Sequence, residues 1–459
     1  MKSKLQSQSI ILVLVFLHFW QASRVRPVGD DYTMLRIYTD QGFWSTLNEF
    51  WMNFGGNLSA AVMRLSLISF SSDASNWLGF ILYSLITSAL ILISYLILFA
   101  WLNSKKLYQL NPKEVILCLA ATFIFEGLFT PGSSSIYLFG AASGVHVWPI
   151  CILIITLALI TVKEKSKLIG VRLFRFGSFV TLGFVIGNSG MAEGAASLCL
   201  IPVLIFMTYR SYELGFDKSS IRYLQSLFLG ILFGFITIFI APGFKSRLSR
   251  DSQLVDLSGN LLEQFRSSLV SFSGELLTHP IWLLLLLALP KMSLVLSCMS
   301  KVRAKVLTYS FLILFVLTVL GSTFGYAAWH QSGGLLVLFT PGLLAVSALL
   351  SHKNYRGSMK TSRLLSTGLL LVATLIFCLT LRGLYFQEKR STEWESNLVK
   401  NYCLQLRGTG EKFLGAEIRY WPLGLGIEDV NRWKWMSDDY AAWLKTLGPV
   451  LKPKCIESP

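Results

Sequence analysis

Charge is scarce in this chain. Asp, Glu, Lys and Arg together make up 14% of its 459 residues, against about 25% in an ordinary soluble domain. With so little charge and so much apolar side chain, intrinsic disorder is excluded. A collagen-like fibre and a small disulfide scaffold are excluded too, because there is neither a glycine period nor a dense cysteine framework. No Walker-type or GxGxxG loop occurs, so an ATP or nucleotide-sugar site on a soluble loop is not expected. No Cys/His spacing resembles a zinc site. No repeat of fixed period and no low-complexity tract is found.

What the chain has instead is apolar length. Hydrophobic residues make up 53%, and several runs are long enough to cross a bilayer of roughly 30 Å. The expected class is an all-α polytopic membrane protein with about eleven spans, near 8–23, 77–101, 114–130, 145–162, 174–190, 194–209, 223–241, 276–290, 305–322, 334–350 and 364–386. The first run follows Lys2 and Lys4, and Arg24-Val25-Arg26-Pro27 stands where a signal peptide would carry a small-residue cleavage site. A retained anchor is therefore expected. The net charge of +16 needs no nucleic acid as a partner, because cytoplasmic loops collect Lys and Arg.

That bias also sets the orientation. With the N-terminus in the cytoplasm, the inner loops hold Lys105, Lys106, Lys113, Lys163, Lys165, Lys167, Arg172, Arg210, Lys218, Arg222, Lys291, Lys301, Arg303, Lys353, Arg356 and Lys360. The outer stretches 131–144 and 323–333 hold neither Lys nor Arg. The domain reading is a membrane domain over 1–386 and an extracytoplasmic tail over 387–459. External loop 24–76 carries aromatic, partly amphipathic stretches (Gly42-Phe43-Trp44, Phe50-Trp51), and external loop 242–275 is polar and basic. Segments this long are usually functional. Cys118, Cys151, Cys199 and Cys378 fall in apolar runs and Cys298 near a cytoplasmic end, all read as small core residues. Cys403 and Cys455 share the tail and can pair if that side is oxidising.

Five places carry candidate chemistry. Gly29-Asp30-Asp31-Tyr32 opens the longest external loop. Adjacent carboxylates there repel one another and hold protons more readily. Either can serve as a general base for an acceptor hydroxyl; the alternative is a solvated loop cap. Glu126 lies near the outer end of the third span and is either a functional intramembrane acid or an interfacial one reaching water. In the turn Gly187-Asn188-Ser189-Gly190-Met191-Ala192-Glu193-Gly194, Glu193 either points into a cavity or sits at a helix start that favours negative charge. The turn Ala241-Pro242-Gly243-Phe244-Lys245-Ser246-Arg247 presents Lys245 and Arg247 at headgroup level. These two cations suit a phosphate ligand or simple snorkelling. His146 and His330 lie beside Trp148 and Trp329 on the same side. All of these map to the outer face.

The pattern resembles the GT-C class of membrane glycosyltransferases, whose mark is an acidic motif in the first external loop. It looks most like a group of poorly characterised bacterial GT-C-like proteins. The matching residues are Gly29-Asp30-Asp31-Tyr32, Ala241-Pro242-Gly243 with Arg247, and Gly426-Ile427-Glu428-Asp429-Val430 followed by Trp435. Departures fall at Gly55-Gly56-Asn57, Phe244 and Gln331-Ser332. The resemblance implies a GT-C-like fold with short amphipathic helices in the first external loop. It implies a sugar donor linked to polyprenyl phosphate, and a glycan, lipid or protein acceptor. Asp30 or Asp31 would be the base, and Lys245 and Arg247 would hold the leaving phosphate. Tyr32, Glu126, His146, Glu193 and His330 would line the substrate site, and inversion at the anomeric carbon is expected. No cofactor is fixed, and a divalent cation is compatible with the class. The tail tryptophans, Trp421, Trp433, Trp435 and Trp443, would pack on acceptor sugars or form a plain structural cap. The expected location is a bacterial inner or plasma membrane.

Two other classes compete. An envelope glycan polymerase or ligase would place its arginines in a large late external loop, whereas the largest external loop here is the first. A transporter or flippase of lipid-linked sugars would show inverted repeats and charges near the midplane. An inactive GT-C-like scaffold is the remaining alternative.

Overall fold

A computed structural model describes residues 2–23, 30–71, 78–102, 105–126, 147–162, 169–210, 220–246, 359–408, 413–414, 417–421, 424–428 and 434–457, with single positions at 263, 266, 270, 305 and 309. The expected spans at 276–290, 305–322 and 334–350 therefore lie outside the described residues, apart from positions 305 and 309. The described helices are α1 Lys2–Ser23, α2 Asp30–Asn53, α3 Leu58–Ile68, α4 Leu78–Leu102, α5 Pro112–Glu126, α6 Trp148–Ile160, α7 Ile169–Ser189, α8 Met191–Arg210, α9 Ser220–Ile240 and α10 Met359–Arg407. A hairpin of β1 Glu417–Trp421 and β2 Gly424–Glu428 follows, then α11 Lys434–Thr446 and α12 Gly448–Glu457. The strands pair antiparallel, Glu417 opposite Glu428 and Trp421 opposite Gly424.

Three described helices, in α4, α7 and α9, are long and apolar enough to cross a membrane. Shorter apolar helices occur in α3, α6 and α8. The lipid-facing character shows in side chains left outside, such as Phe233, Ile236 and Ile240 on α9. It also explains the cysteines. Cys118 and Cys151 are buried, but Cys199 and Cys378 are exposed rather than core residues, because an apolar helix in lipid has no need to bury every small apolar side chain.

Helices α7 and α9 run parallel at very close range. A Cβ added to Gly183 would meet the Leu227 carbonyl, and one on Gly187 the Ile231 carbonyl. From the other side, Gly230 faces the Val180 carbonyl and Gly234 that of Phe184. Two pairs of glycines four residues apart thus bring backbone against backbone, the packing expected where lipid supplies no hydrophobic drive between helices. Arg175 ties the other end of α7 to α6. It donates to the carbonyls of Leu159 and Val162 at 2.8 and 2.7 Å, the exposed C-terminal oxygens of that helix, and its guanidinium stands 4.7 Å from the centre of the Tyr223 ring. Trp148 joins α6 to α4 by donating to Thr87 Oγ1 at 2.8 Å and stacking on Tyr83.

The segment 24–76, read above as a long loop with amphipathic pieces, is mostly helix. It bends at Gly42, whose φ of 78° interrupts α2. Its apolar side packs both on the spans, through Phe80 of α4 and with Met63 and Leu67 against the cluster around Tyr83, and on the tail. Tyr32, Leu35, Leu47, Ala61 and Leu65 share one buried cluster with Trp394, Leu398, Tyr402, Tyr440, Trp443 and Leu451. A second cluster gathers Tyr83, Ile91 and Phe99 of α4 with Cys118 of α5 and Cys151 of α6, and a third lies between α6, α7, α8 and α9. The molecule is thus a bundle carrying a cap built from the first segment and the tail. The boundary drawn at 386 falls inside α10, a single helix of 49 residues. Within the cap, Cys403 and Cys455 form a disulfide across 52 residues.

Candidate functional site

Asp30 and Asp31 are the first two residues of α2. A helix start favours negative charge, because the first backbone N–H groups have no partner within the helix. What fixes this helix start is the next residue. Tyr32 is fully buried. Its ring lies 5.0 Å from Tyr440 and 5.1 Å from Trp443, centre to centre, and its hydroxyl accepts a hydrogen bond from Trp394 Nε1 at 3.4 Å. The acidic pair therefore stands at the edge of an aromatic clamp made by the tail. Tyr32 and Trp443 serve as its core, so neither is free to stack on a sugar.

The second half of the same segment meets the spans. Gly55 and Gly56 turn the chain with φ of 112° and 78°, values that suit glycine. The 241–243 turn seats directly on them. A Cβ on Gly56 would collide with that of Ala241, and one on Gly243 would come within 2.8 Å of the backbone nitrogens of Phe54 and Gly55. At the centre is Asn188, fully buried. Its Oδ1 accepts the Ser59 N–H at 2.8 Å. Its Nδ2 donates to Thr237 Oγ1 at 2.8 Å and to the carbonyls of Gly56 and Gly234 at 3.2 and 3.4 Å. Because Asn57 makes no side-chain cap, Asn188 satisfies a free N–H at the start of α3 in its place.

The structure thus brings together three segments singled out in the sequence: Gly55-Gly56-Asn57, the 187–194 run and the Pro242-Gly243 turn. Lys245 is exposed and follows the turn that packs on Asn53, Phe54 and Gly55 at the end of α2, and Asp30 and Asp31 open that helix. Glu193 is buried in the first turn of α8, where Ser197 Oγ donates to its backbone carbonyl at 2.7 Å, a placement that both readings of it allow. Glu126 is the last residue of α5. His146, Arg247 and His330 lie outside the described residues, as do Trp433 and the segment 429–430.

Three residues without an assigned role in the sequence reading prove central. Asn188 is the network just described. Trp394 holds Tyr32. Arg64 is 3% exposed within α3. The last carried a readable signal, a lone arginine in the otherwise apolar and small-residue run Leu58–Ile68. Among the described residues, no group of three or more His, Cys, Asp and Glu side chains is placed to hold a metal ion.

The fold and site define a helical membrane protein with an acidic helix start held in an aromatic cap. No family model, curated protein or solved structure matches the chain.

Proposed function

We propose that the protein is a membrane glycosyltransferase of the GT-C type. It moves a sugar from a polyprenyl-phosphate donor to a glycan, lipid or protein acceptor on the extracytoplasmic face. In this reading the chain crosses the membrane about eleven times, with the N-terminus cytoplasmic and the tail outside. Two features support that placement. The 24–76 segment and the tail share one buried cluster, so both stand on one side of the membrane. The Cys403–Cys455 disulfide suits an oxidising compartment.

The observation that carries the reading is the clamp on Tyr32. A general base must be held still to act, and the residue following Asp30-Asp31 is locked by Trp394, Tyr440 and Trp443. One of the two carboxylates takes the proton of the acceptor hydroxyl. The acceptor oxygen bonds to the anomeric carbon, the bond from that carbon to the phosphate oxygen breaks, and polyprenyl phosphate leaves with the electron pair. Lys245 and Arg247 stabilise the charge on the departing phosphate. A single displacement inverts the anomeric centre.

The test is sugar transfer from synthetic polyprenyl-phosphate donors by purified protein, beside Asp30→Asn and Asp31→Asn. Loss of roughly 10²- to 10⁴-fold in one folded variant is expected. A donor that binds and is never transferred, with both variants behaving as wild type, rejects the enzyme and favours a carrier of lipid-linked sugars.

A further inference from the structure

We propose that Trp44 is a stacking platform for a neutral glycan on the surface of the cap; naming that glycan the acceptor rests on the transferase reading. Trp44 is 79% exposed, whereas Trp148, Trp394 and Trp443 are buried. Trp443, which the sequence offered for sugar contact, is taken up by the clamp on Tyr32. The cap still presents an indole at Trp44, and its backbone is fastened. Gly42 breaks α2 with φ of 78° and ψ of 179°, a combination essentially confined to glycine. Nothing stands within 4 Å of a Cβ added there, so backbone direction, not crowding, calls for glycine. Thr46, fully buried, holds the bend, its Oγ1 donating to the Gly42 carbonyl at 2.7 Å. Two aromatic rings follow at once. Phe43 packs inward on the cap cluster. Trp44 stands outside, its ring 5.3 Å from that of Phe43, centre to centre, and edge-on to it at 84°. An indole braced in this way offers a broad amphipathic face at little entropic cost.

The surroundings select the ligand. Asp40 and Gln41, just before the bend, and Ser45 and Asn48, just after it, are exposed. Asn48 lies four residues beyond Trp44, one turn along the same face. Amides, a hydroxyl and a carboxylate can bond the hydroxyls of a sugar, while the negative face of the ring meets its C–H side. Cations are what this stretch lacks: no Lys or Arg occurs between Arg36 and Arg64. A helix that lies in a leaflet is rich in Lys and Arg on its polar face. The composition around Trp44 therefore favours an uncharged polyol over a lipid headgroup. Trp44 also follows Asp31 by thirteen residues of the same helix, about 20 Å of bent path. An acceptor of several sugar units can touch both, with one end at the base and the rest on the indole.

The experiment measures binding of maltohexaose, mannohexaose and chitohexaose to the full-length protein in lipid nanodiscs, by calorimetry and by protection of tryptophan emission from acrylamide. At least one should bind, and Trp44→Ala should weaken it by roughly 10- to 100-fold. Trp44→Phe should fall between, because it keeps a ring face. Asn48→Ala should weaken binding by a smaller factor. All three sites are at exposed positions, so the variants should melt with wild type. Binding by none of the three sugars, or unchanged binding in Trp44→Ala, overturns the inference. So does quenching of wild-type emission by brominated phosphatidylcholine that Trp44→Ala abolishes, because it places the indole in the leaflet. Transfer assays separate the two claims. Trp44→Ala should act mainly on the KM for the acceptor; turnover with that KM as in wild type keeps the transferase and removes the platform. Trp44-dependent sugar binding without transfer from any donor, with both Asp variants as wild type, keeps the platform and removes the transferase.

Discussion

The side-chain oxygen of Asn188 accepts the backbone N–H of Ser59 at 2.8 Å, across 129 residues of chain. One amide thereby starts a helix of the first segment and joins it to the ends of two helices of the bundle. The same side chain reaches Thr237 and the carbonyl of Gly56, and Asn188 itself is fully buried. Removing Asn188 takes the partner from the buried Ser59 N–H, worth about 1–3 kcal/mol, and one bond each from the Gly56 carbonyl and Thr237, which keep the Leu58 N–H and the Gly234 carbonyl. Asn188→Ala should lower the thermal midpoint in detergent by several degrees. Asn188→Asp tests the chemistry rather than the size, because a carboxylate cannot donate to Gly56, Gly234 or Thr237. It should be at least as damaging. An Asp variant melting with wild type would show that the network carries no stability.

The glycines of α7 and α9 offer a prediction with an internal control. Gly187 and Gly230 face backbone carbonyls directly, with no flexible side chain to yield. Alanine at either position must push the helices apart and should cost about 1–3 kcal/mol. Gly177 lies in the same helix α7 with nothing within reach of an added Cβ. Gly177→Ala should therefore be neutral, or stabilise by up to about 1 kcal/mol through helix propensity. Thermal melts of the three variants decide it, and equal effects at all three would contradict the close approach.

Much of the architecture was readable because membrane spans announce themselves by apolar length. The runs that became α4, α7 and α9 needed only a sum over residues, whereas the stretches at 42–51 read only as partly amphipathic pieces of a loop and are helix on either side of Gly42. The α7–α9 contact was missed because it depends on side chains that are absent. Gly183, Gly187, Gly230 and Gly234 lower a hydropathy sum, yet they let the backbones meet. The end of α10 was missed because hydropathy falls near 386 while the backbone has no reason to stop. No Gly or Pro interrupts 384–407, and the helix ends at Gly408, in the left-handed region with φ of 61°. Tyr32 and Trp394 stand 362 residues apart, and no local pattern relates them.

The disulfide closes a loop of 52 residues that holds the hairpin and α11. Restricting the unfolded chain over that span stabilises the cap by about 4 kcal/mol on the chain-entropy estimate. Reduction, or serine at both Cys403 and Cys455, should lower the unfolding midpoint of the cap while leaving the helical signal of the bundle in place. Trp394 and Trp443, both buried, should become accessible to acrylamide at lower denaturant. Quenching curves that coincide with and without reductant would show that the cluster, rather than the cross-link, holds the tail.

Tyr440 gives the cap a pH limit. Burial pushes its hydroxyl well above the ordinary tyrosine value, and the hydrogen bond from Asn401 Nδ2 at 3.1 Å offsets only part of this. The sign follows directly. Between about 10, where the unfolded side chain ionises, and the higher value in the fold, the unfolded chain loses a proton that the folded chain keeps. Stability from this group is complete below about pH 10 and declines as pH rises through that window. Tyr440 packs on Tyr32, Phe413 and Trp443, so its ionisation should loosen the clamp behind the acidic pair. Tryptophan emission should shift to the red above pH 10, together with the tyrosinate absorbance at long wavelength. Tyr440→Phe removes the titrating group at a cost of about 1 kcal/mol for the lost hydrogen bond. Asn401 Nδ2 keeps the Leu414 carbonyl at 3.0 Å as a partner. That variant should lose less stability between pH 10 and 11 than wild type does. Parallel alkaline curves for the two proteins would assign the transition to other groups and leave Tyr440 a purely apolar contact.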